Sequence, residues 1–226
     1  MNRRQLLSWA LSALALFGAA GAQAQAHPQV TFRTNLGNIV VELYPEHAPK
    51  TVANFVRYVQ EGHYNGTIFH RVIPNFMVQG GGFDAQFREK STHAPVKHEG
   101  RQALAGGLRN ATGTLAMART ADPQSATAQF YINVNNNNFL DPVEIPPGDP
   151  VPYFQYRGRT FRNAPRAALL ESPQLIGYTV FGRVIQGMNV VQQIVQVPTG
   201  AGGPFPTDVP RQTVTILQAT LSKGQP

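Results

Sequence analysis

Apolar and polar residues alternate along several short segments of the chain, and this alternation predicts β-strands. In residues 38–44, every second position is a large aliphatic residue, and Asn35-Leu36-Gly37 separates this segment from another at 30–34, as in a hairpin. The predicted strands are 30–34, 38–44, 68–73, 76–79, 114–118, 130–134, 179–184 and 213–219. Eight short strands predict a closed barrel or a sandwich.

Two segments carry apolar residues at helical spacing instead. Residues 49–61 place Val52, Phe55, Val56 and Val59 on one face, and Gly62 follows as a terminating residue. Residues 188–195 repeat this period. Two amphipathic helices among eight strands suit a barrel whose ends are plugged by helices.

Residues 142–176 interrupt the strand pattern. This stretch holds seven prolines, and four arginines outnumber three acidic residues. We predict a long surface loop inserted into the domain, with a short helical piece near 164–171. We interpret it as a solvent-exposed loop without a binding role; the alternative is a contact with a substrate or a partner.

The first residues have the three-part layout of a secretory signal peptide. A basic start with Arg3 and Arg4 precedes an apolar core at 6–17, which is shorter than the roughly 20 residues of a spanning helix. Small residues follow up to Ala26, so we predict a signal peptide at 1–26 and a single domain at 27–226. The alternative is an uncleaved anchor, and the adjacent arginines also fit twin-arginine export. We expect an exported protein.

Composition excludes several classes of function. Cysteine is absent, which excludes disulfides and thiol catalysis, and the six histidines show no tight ligand spacing, so we expect neither a metal nor a cofactor. Removing residues 1–26 takes away two arginines and no acids, so the formal net charge falls from +7 to +5. The basic residues are spread out, so we expect no nucleic-acid partner, and no later apolar run is long enough for a membrane span. We expect a monomer.

Residues 69–82 hold the candidate chemistry. They place Arg71 and Gln79 in a dense apolar group and contain no Ser, Thr, Cys, Asp, Glu, Lys or Tyr. Only His70 in this stretch could attack a bond or move a proton. Such a set can desolvate a ligand and donate hydrogen bonds to it, which indicates chemistry without a covalent step.

Several motifs in a fixed order resemble one known family. They are FHRVIP at 69–74, FMVQGG at 76–81, GTLAMAR at 113–119, SATAQFYIN at 125–133, FLD at 139–141, VFGRV at 180–184 and GM at 187–188. The chain resembles the cyclophilin-type peptidyl-prolyl isomerases, most closely their periplasmic bacterial branch. Together with the predicted signal peptide, this resemblance implies a periplasmic protein of a Gram-negative bacterium. The resemblance implies an eight-stranded antiparallel barrel closed by two α-helices, with an active groove on its outer face. The implied activity is cis/trans interconversion of Xaa-Pro bonds in unfolded or folding polypeptides, and the family usually has a much shorter connection in place of 142–176.

The same resemblance assigns the site residues. Arg71 takes the catalytic position, where the alternative is a surface arginine in an ion pair, and His70 supports it by orienting it or filling space. The implied substrate-binding residues are Phe76, Met77, Gln79, Ala118, Arg119, Gln129, Tyr131, Phe139, Leu140 and Tyr178.

Three of these positions depart from the pattern that is common in the family. Tyr131 stands where Phe is frequent, which predicts a slightly more polar pocket wall. Phe139 replaces a Trp that is associated with tight cyclosporin binding, so we expect weak inhibition. Tyr178 matches a pocket His. Because Arg71 and its apolar neighbours are intact, we favour an enzyme over the alternative, a proline-peptide-binding module or holdase without turnover.

Overall fold

The computed structural model describes residues 27–223, in which twelve strands and four α-helices follow one another. The strands are β1 (Pro28–Thr34), β2 (Gly37–Leu43), β3 (Thr67–Ile73), β4 (Met77–Asp84), β5 (Thr114–Met117), β6 (Phe130–Asn133), β7 (Val151–Tyr156), β8 (Arg159–Ala164), β9 (Val180–Gln186), β10 (Thr199–Gly202), β11 (Phe205–Pro210) and β12 (Thr215–Lys223). The helices are α1 (Pro49–Gln60), α2 (Gly100–Ala105), α3 (Arg166–Leu170) and α4 (Met188–Gln196). The predicted signal peptide at 1–26 lies outside the described residues.

Eight of these strands close into an antiparallel barrel in the order β1-β12-β3-β4-β6-β5-β9-β2. The alternating segments predicted a closed barrel or a sandwich, and the barrel is confirmed. Each predicted strand corresponds to one strand of the barrel. The inward side chains fill the interior, with Phe32 stacked on Phe130 at a centroid distance of 5.2 Å. Because the interior is packed with apolar side chains, a substrate has to bind on the outside.

The two predicted helices close the barrel. Helix α1 buries Phe55 against the aromatic rings of the core, and α4 buries Val191 and Ile194 in the same cluster. The amino end of α1 is capped from a distant segment: Glu99, 6% exposed, accepts hydrogen bonds from the backbone N–H groups of Lys50 (3.1 Å) and Thr51 (2.8 Å). This carboxylate satisfies amide donors that a helix leaves free at its start.

Residues 142–176 contain a hairpin in addition to the short helical piece that we predicted for this stretch. Strands β7 and β8 form a hairpin, and α3 occupies the predicted helical piece. The stretch has its own apolar cluster, made of Ile145, Val151, Phe154, Leu169 and Leu175. We call residues 142–176 the insertion. Pro152, the one proline in these two strands, is tolerated because β7 pairs with β8 on one side only.

The insertion is fastened to the barrel through α2, which the sequence did not predict. The Arg101 guanidinium donates hydrogen bonds to the carbonyl oxygens of Val143 (2.8 Å), Leu175 (3.3 Å) and Leu170 (3.4 Å). Three backbone acceptors on one planar group fix the orientation of this segment.

A second small hairpin, β10–β11, was also not predicted. Its β11 strand lies against β3, the strand that carries Arg71. Within residues 27–223, no helix is long and apolar enough to cross a membrane.

Candidate active site

The position of Arg71 depends on a β-bulge in β3. Phe69 pairs with Gly80 and Arg71 pairs with Gln79, so His70 is an extra residue on β3. Phe69 and Val72 both point into the core although they are three positions apart. The extra residue shifts the inward and outward alternation by one position, so Val72 points inward again. His70 and Arg71 therefore both lie on the outer face.

On that outer face lies a groove of about 420 Å³. All of the predicted site residues except Phe139 line it, and Phe83 and Phe205 join them: His70, Arg71, Phe76, Met77, Phe83, Gln79, Ala118, Arg119, Gln129, Tyr131, Leu140, Tyr178 and Phe205. We call this space the proline groove, after the ring that the family resemblance predicts it to bind. Residues more than 130 positions apart in the chain meet in it.

Arg71 lies at the rim of the proline groove with its side chain 45% exposed. Its Nε lies 3.6 Å from Oδ2 of Asp208 on β11, a contact that no sequence pattern predicted. Arg71 therefore lines the groove and forms an ion pair at the same time. A half-exposed pair of this kind is weak, so the guanidinium retains N–H groups for a ligand.

His70 lies behind Arg71 and is 2% exposed. Its ring stacks on Phe205 at 5.3 Å and meets Phe83 edge-on at 4.8 Å. Burial in this apolar setting, together with the neighbouring Arg71 charge, lowers the pKa of His70 to about 4. The imidazole is therefore neutral near pH 7.

Two glutamines form the polar wall of the groove. Gln79 Nε2 donates to Gln129 Oε1 at 3.0 Å, which fixes both amides. A Cβ at position 82 would lie 2.5 Å from the Gln129 side chain, so Gly82 leaves the space that Gln129 occupies. The side-chain oxygen of Gln79 and the side-chain nitrogen of Gln129 remain available for hydrogen bonds with a ligand.

The apolar floor contains Met77 and Tyr131, which are 2% and 4% exposed. The Tyr131 hydroxyl donates to Asn110 Oδ1 at 2.8 Å, and Asp141 accepts from the Asn110 backbone N–H at 2.7 Å. Burial raises the pKa of Tyr131 well above its usual value. The hydroxyl is thus engaged in a buried network, which differs from the more polar wall that we expected.

Arg119 and Tyr178 form the opposite wall. Arg119 donates to the Gly177 carbonyl oxygen from Nη2 at 3.0 Å and from Nε at 3.2 Å, and its guanidinium carbon lies 4.5 Å from the centre of the Tyr178 ring. The Tyr178 ring in turn meets Tyr131 edge-on at 5.7 Å. Arg119 therefore supports the groove wall while it lines the groove.

The comparisons with known proteins agree with this site. Residues 29–221 match the family model of the cyclophilin type peptidyl-prolyl cis-trans isomerases. The chain belongs to this family. Its resemblance, the barrel fold and the isomerase class are thereby confirmed.

Bacterial peptidyl-prolyl cis-trans isomerases are among its similar sequences. A peptidyl-prolyl cis-trans isomerase of Acinetobacter baylyi is 46% identical over 88% of both chains. Peptidyl-prolyl cis-trans isomerase B of Escherichia coli is 45% identical over 86% of this chain and 99% of its own. A Cryptosporidium parvum cyclophilin crystal structure shares the fold, with a TM-score of 0.57, 20% identity and coverage of 88% of this chain and 99% of that chain.

Phe139 is the one predicted site residue that does not line this cyclophilin's proline groove. Its ring, 54% exposed, stacks on Phe76 at 5.8 Å with an interplanar angle of 22° and faces a neighbouring cavity. Sequence reasoning also missed Phe83, Phe205 and Asp208. Phe83 directly follows the three glycines at 80–82, and the other two residues lie in a hairpin with no strand signal.

Proposed function

We propose that this isomerase catalyses cis/trans isomerisation of Xaa-Pro bonds in the proline groove, with Arg71 as its catalytic residue. The observation that carries the proposal is a half-exposed guanidinium at the rim of a pocket whose floor, Met77 and Tyr131, is almost fully buried. Such a pocket accepts the proline ring, while the guanidinium lies beside the bond that rotates.

The chemistry follows from the electronic structure of the imide. Resonance opposes rotation with a barrier of about 18–20 kcal/mol. In the twisted transition state the proline nitrogen becomes pyramidal and regains a basic lone pair. An N–H donor from Arg71 that is aimed at this nitrogen stabilises the twisted form more than either planar form, and the apolar floor disfavours the charge-separated planar form.

No proton transfer is required by this mechanism. His70 is neutral and buried, so its role is to support Arg71 from behind rather than to act as an acid. We assign Gln79 and Gln129 to the substrate backbone, because their amides are held in fixed orientations. Ala118, Leu140, Phe76 and Tyr178 complete the walls.

The test is substitution of Arg71 in the purified chain. With a peptide that holds one Xaa-Pro bond, followed by exchange NMR, we expect Arg71→Ala to lose on the order of 100-fold in kcat/KM, the effect of removing a transition-state donor. Arg33→Ala is the matched control, because Arg33 is an exposed arginine on β1 that does not line the groove. Full activity of Arg71→Ala would refute the assignment.

The second candidate, a binding module or holdase without turnover, predicts that the wild type leaves the exchange rate unchanged. The intact pair of Arg71 and its apolar pocket supports the enzyme instead. Suppression of aggregation by a chain that does not accelerate exchange would decide for the holdase.

We further propose that residues 1–26 direct export and that residues 27–226 work as one monomeric periplasmic domain on folding polypeptides. The three-part pattern of the first 26 residues supports this, and the relatives at 45–46% identity are bacterial. Amino-terminal sequencing of the mature protein from a periplasmic fraction tests it; an unprocessed chain in the cytoplasm would contradict it. Gel filtration tests the monomer.

A further inference from the structure

A second cavity opens beside the proline groove, where the insertion meets the barrel. Its volume is about 880 Å³, and Arg119, Leu140 and Tyr178 line both spaces. The insertion supplies its outer wall through Tyr156, Arg157, Arg159 and Phe161. We call this space the insertion cavity. A polypeptide whose proline occupies the groove can extend directly into it.

The insertion cavity carries uncompensated positive charge. Arg119, Arg157 and Arg159 line it, together with a single carboxylate, Asp141. Asp141 is 8% exposed and already accepts two hydrogen bonds from Asn110, at 2.7 and 2.9 Å. Among residues 27–223, the cation that pairs with Asp141 is Arg109, which does not line the insertion cavity.

The two arginines of the insertion have neutral partners. Arg157 Nη2 donates to the Phe139 carbonyl oxygen at 3.2 Å, and Arg159 Nη1 donates to Gln174 Oε1 at 2.6 Å. Neither forms an ion pair with a carboxylate of the described chain. Both therefore retain N–H donors and a full charge for an acidic ligand.

We propose that the insertion cavity binds a second segment of the same polypeptide substrate, and that Arg157 and Arg159 favour substrates with an acidic side chain near the proline. The inference rests on the proposed function. Continuity with the groove identifies the occupant as substrate, and the charge identifies its chemistry. The insertion thus contributes to substrate specificity and is not a solvent-exposed loop without a binding role.

The test compares matched peptides that contain one Xaa-Pro bond. Each pair carries Glu or Gln at one position, from three residues before the proline to three after it. At low ionic strength we expect the wild type to favour Glu by about fivefold in kcat/KM at one or more positions, and the preference to shrink at high salt. The double variant Arg157→Gln, Arg159→Gln should lose this Glu-to-Gln ratio.

Arg162→Gln is the matched control, since Arg162 is an exposed arginine of the same hairpin that does not line the cavity. It should keep the wild-type ratio. If Arg157 and Arg159 only brace the insertion, the double variant lowers both rates and leaves the ratio intact, which would overturn the proposal. Equal rates for Glu and Gln at every position would also overturn it.

Fluorescence anisotropy of labelled Glu and Gln peptides separates this inference from the proposed function. If no peptide is isomerised, the proposed function fails, but a Glu preference in binding that is lost in the double variant still supports the cavity assignment. Equal binding of both peptides by the wild type would refute the cavity assignment while leaving isomerisation untouched.

Discussion

The buried imidazole of His70 makes the stability of this protein depend on pH in a predictable direction. Its folded pKa is about 4, whereas an unfolded histidine titrates near 6.5. As the pH falls, the unfolded chain therefore binds the proton first. The stabilisation is complete above about pH 6.5 and is lost as the pH falls towards 4.

The magnitude follows from the two pKa values. Between pH 8 and pH 5, His70 alone lowers the free energy of unfolding by about 2 kcal/mol. His98, whose pKa burial also lowers to about 4, contributes a similar loss. Burial also lowers the pKa of His63, which adds to the loss. Urea denaturation at a series of pH values measures the total, and His70→Leu should remove about 2 kcal/mol from the difference between pH 8 and pH 5.

The comparison of pH dependences, rather than of absolute stabilities, isolates the titration of one group. His70→Gln serves as a second variant in case an aliphatic side chain disturbs the stacking on Phe205. His47→Gln is the matched control, because its ring is 32% exposed, and it should keep most of the wild-type dependence. A His70 variant with an unchanged difference between pH 8 and pH 5 would refute the reasoning.

Three further predictions concern contacts around the barrel and the groove. Glu99→Gln should lower the free energy of unfolding by about 1–2 kcal/mol, because a neutral cap interacts more weakly with the start of α1; thermal denaturation checks this, and an unchanged Tm would contradict it. Tyr131→Phe should cost about 1 kcal/mol, because Asn110 loses its 2.8 Å donor, and should keep isomerase activity, since the ring still forms the floor. Asp208→Asn should change kcat/KM by less than about fivefold, because the ion pair is half-exposed; a 100-fold loss in exchange NMR would show that the pair is essential for positioning Arg71.

The eight barrel strands and two of the helices could be predicted because their periodicity reflects burial. In β2, for example, Ile39, Val41 and Leu43 are buried at every second position. The hairpin β7–β8 escaped because its buried residues, Val151 and Phe154, are three positions apart and lie among prolines. In these peripheral pieces, tertiary contacts determine burial and local alternation does not.

The candidate site shows the same division. Arg71 and Gln79 were found because they lie in one continuous motif with their apolar neighbours. Asp208 and Phe205 approach them from a hairpin more than 120 residues later, and no local pattern announces such a contact. The bulge at His70, which sets the direction of Arg71, depends on the pairing of β3 with β4 and is visible only in the register.

The place of β12 in the barrel has a consequence for biosynthesis. Strand β12 lies between β1 and β3 in the barrel, so these two strands lack their common neighbour until residues 215–223 have been synthesised. A nascent chain must keep β1 and β3 unpaired on that side until β12 has been synthesised. The free edges of β1 and β3 can pair with other chains until then, so the addition of β12, and not the formation of any single hairpin, is the step that protects these edges from aggregation.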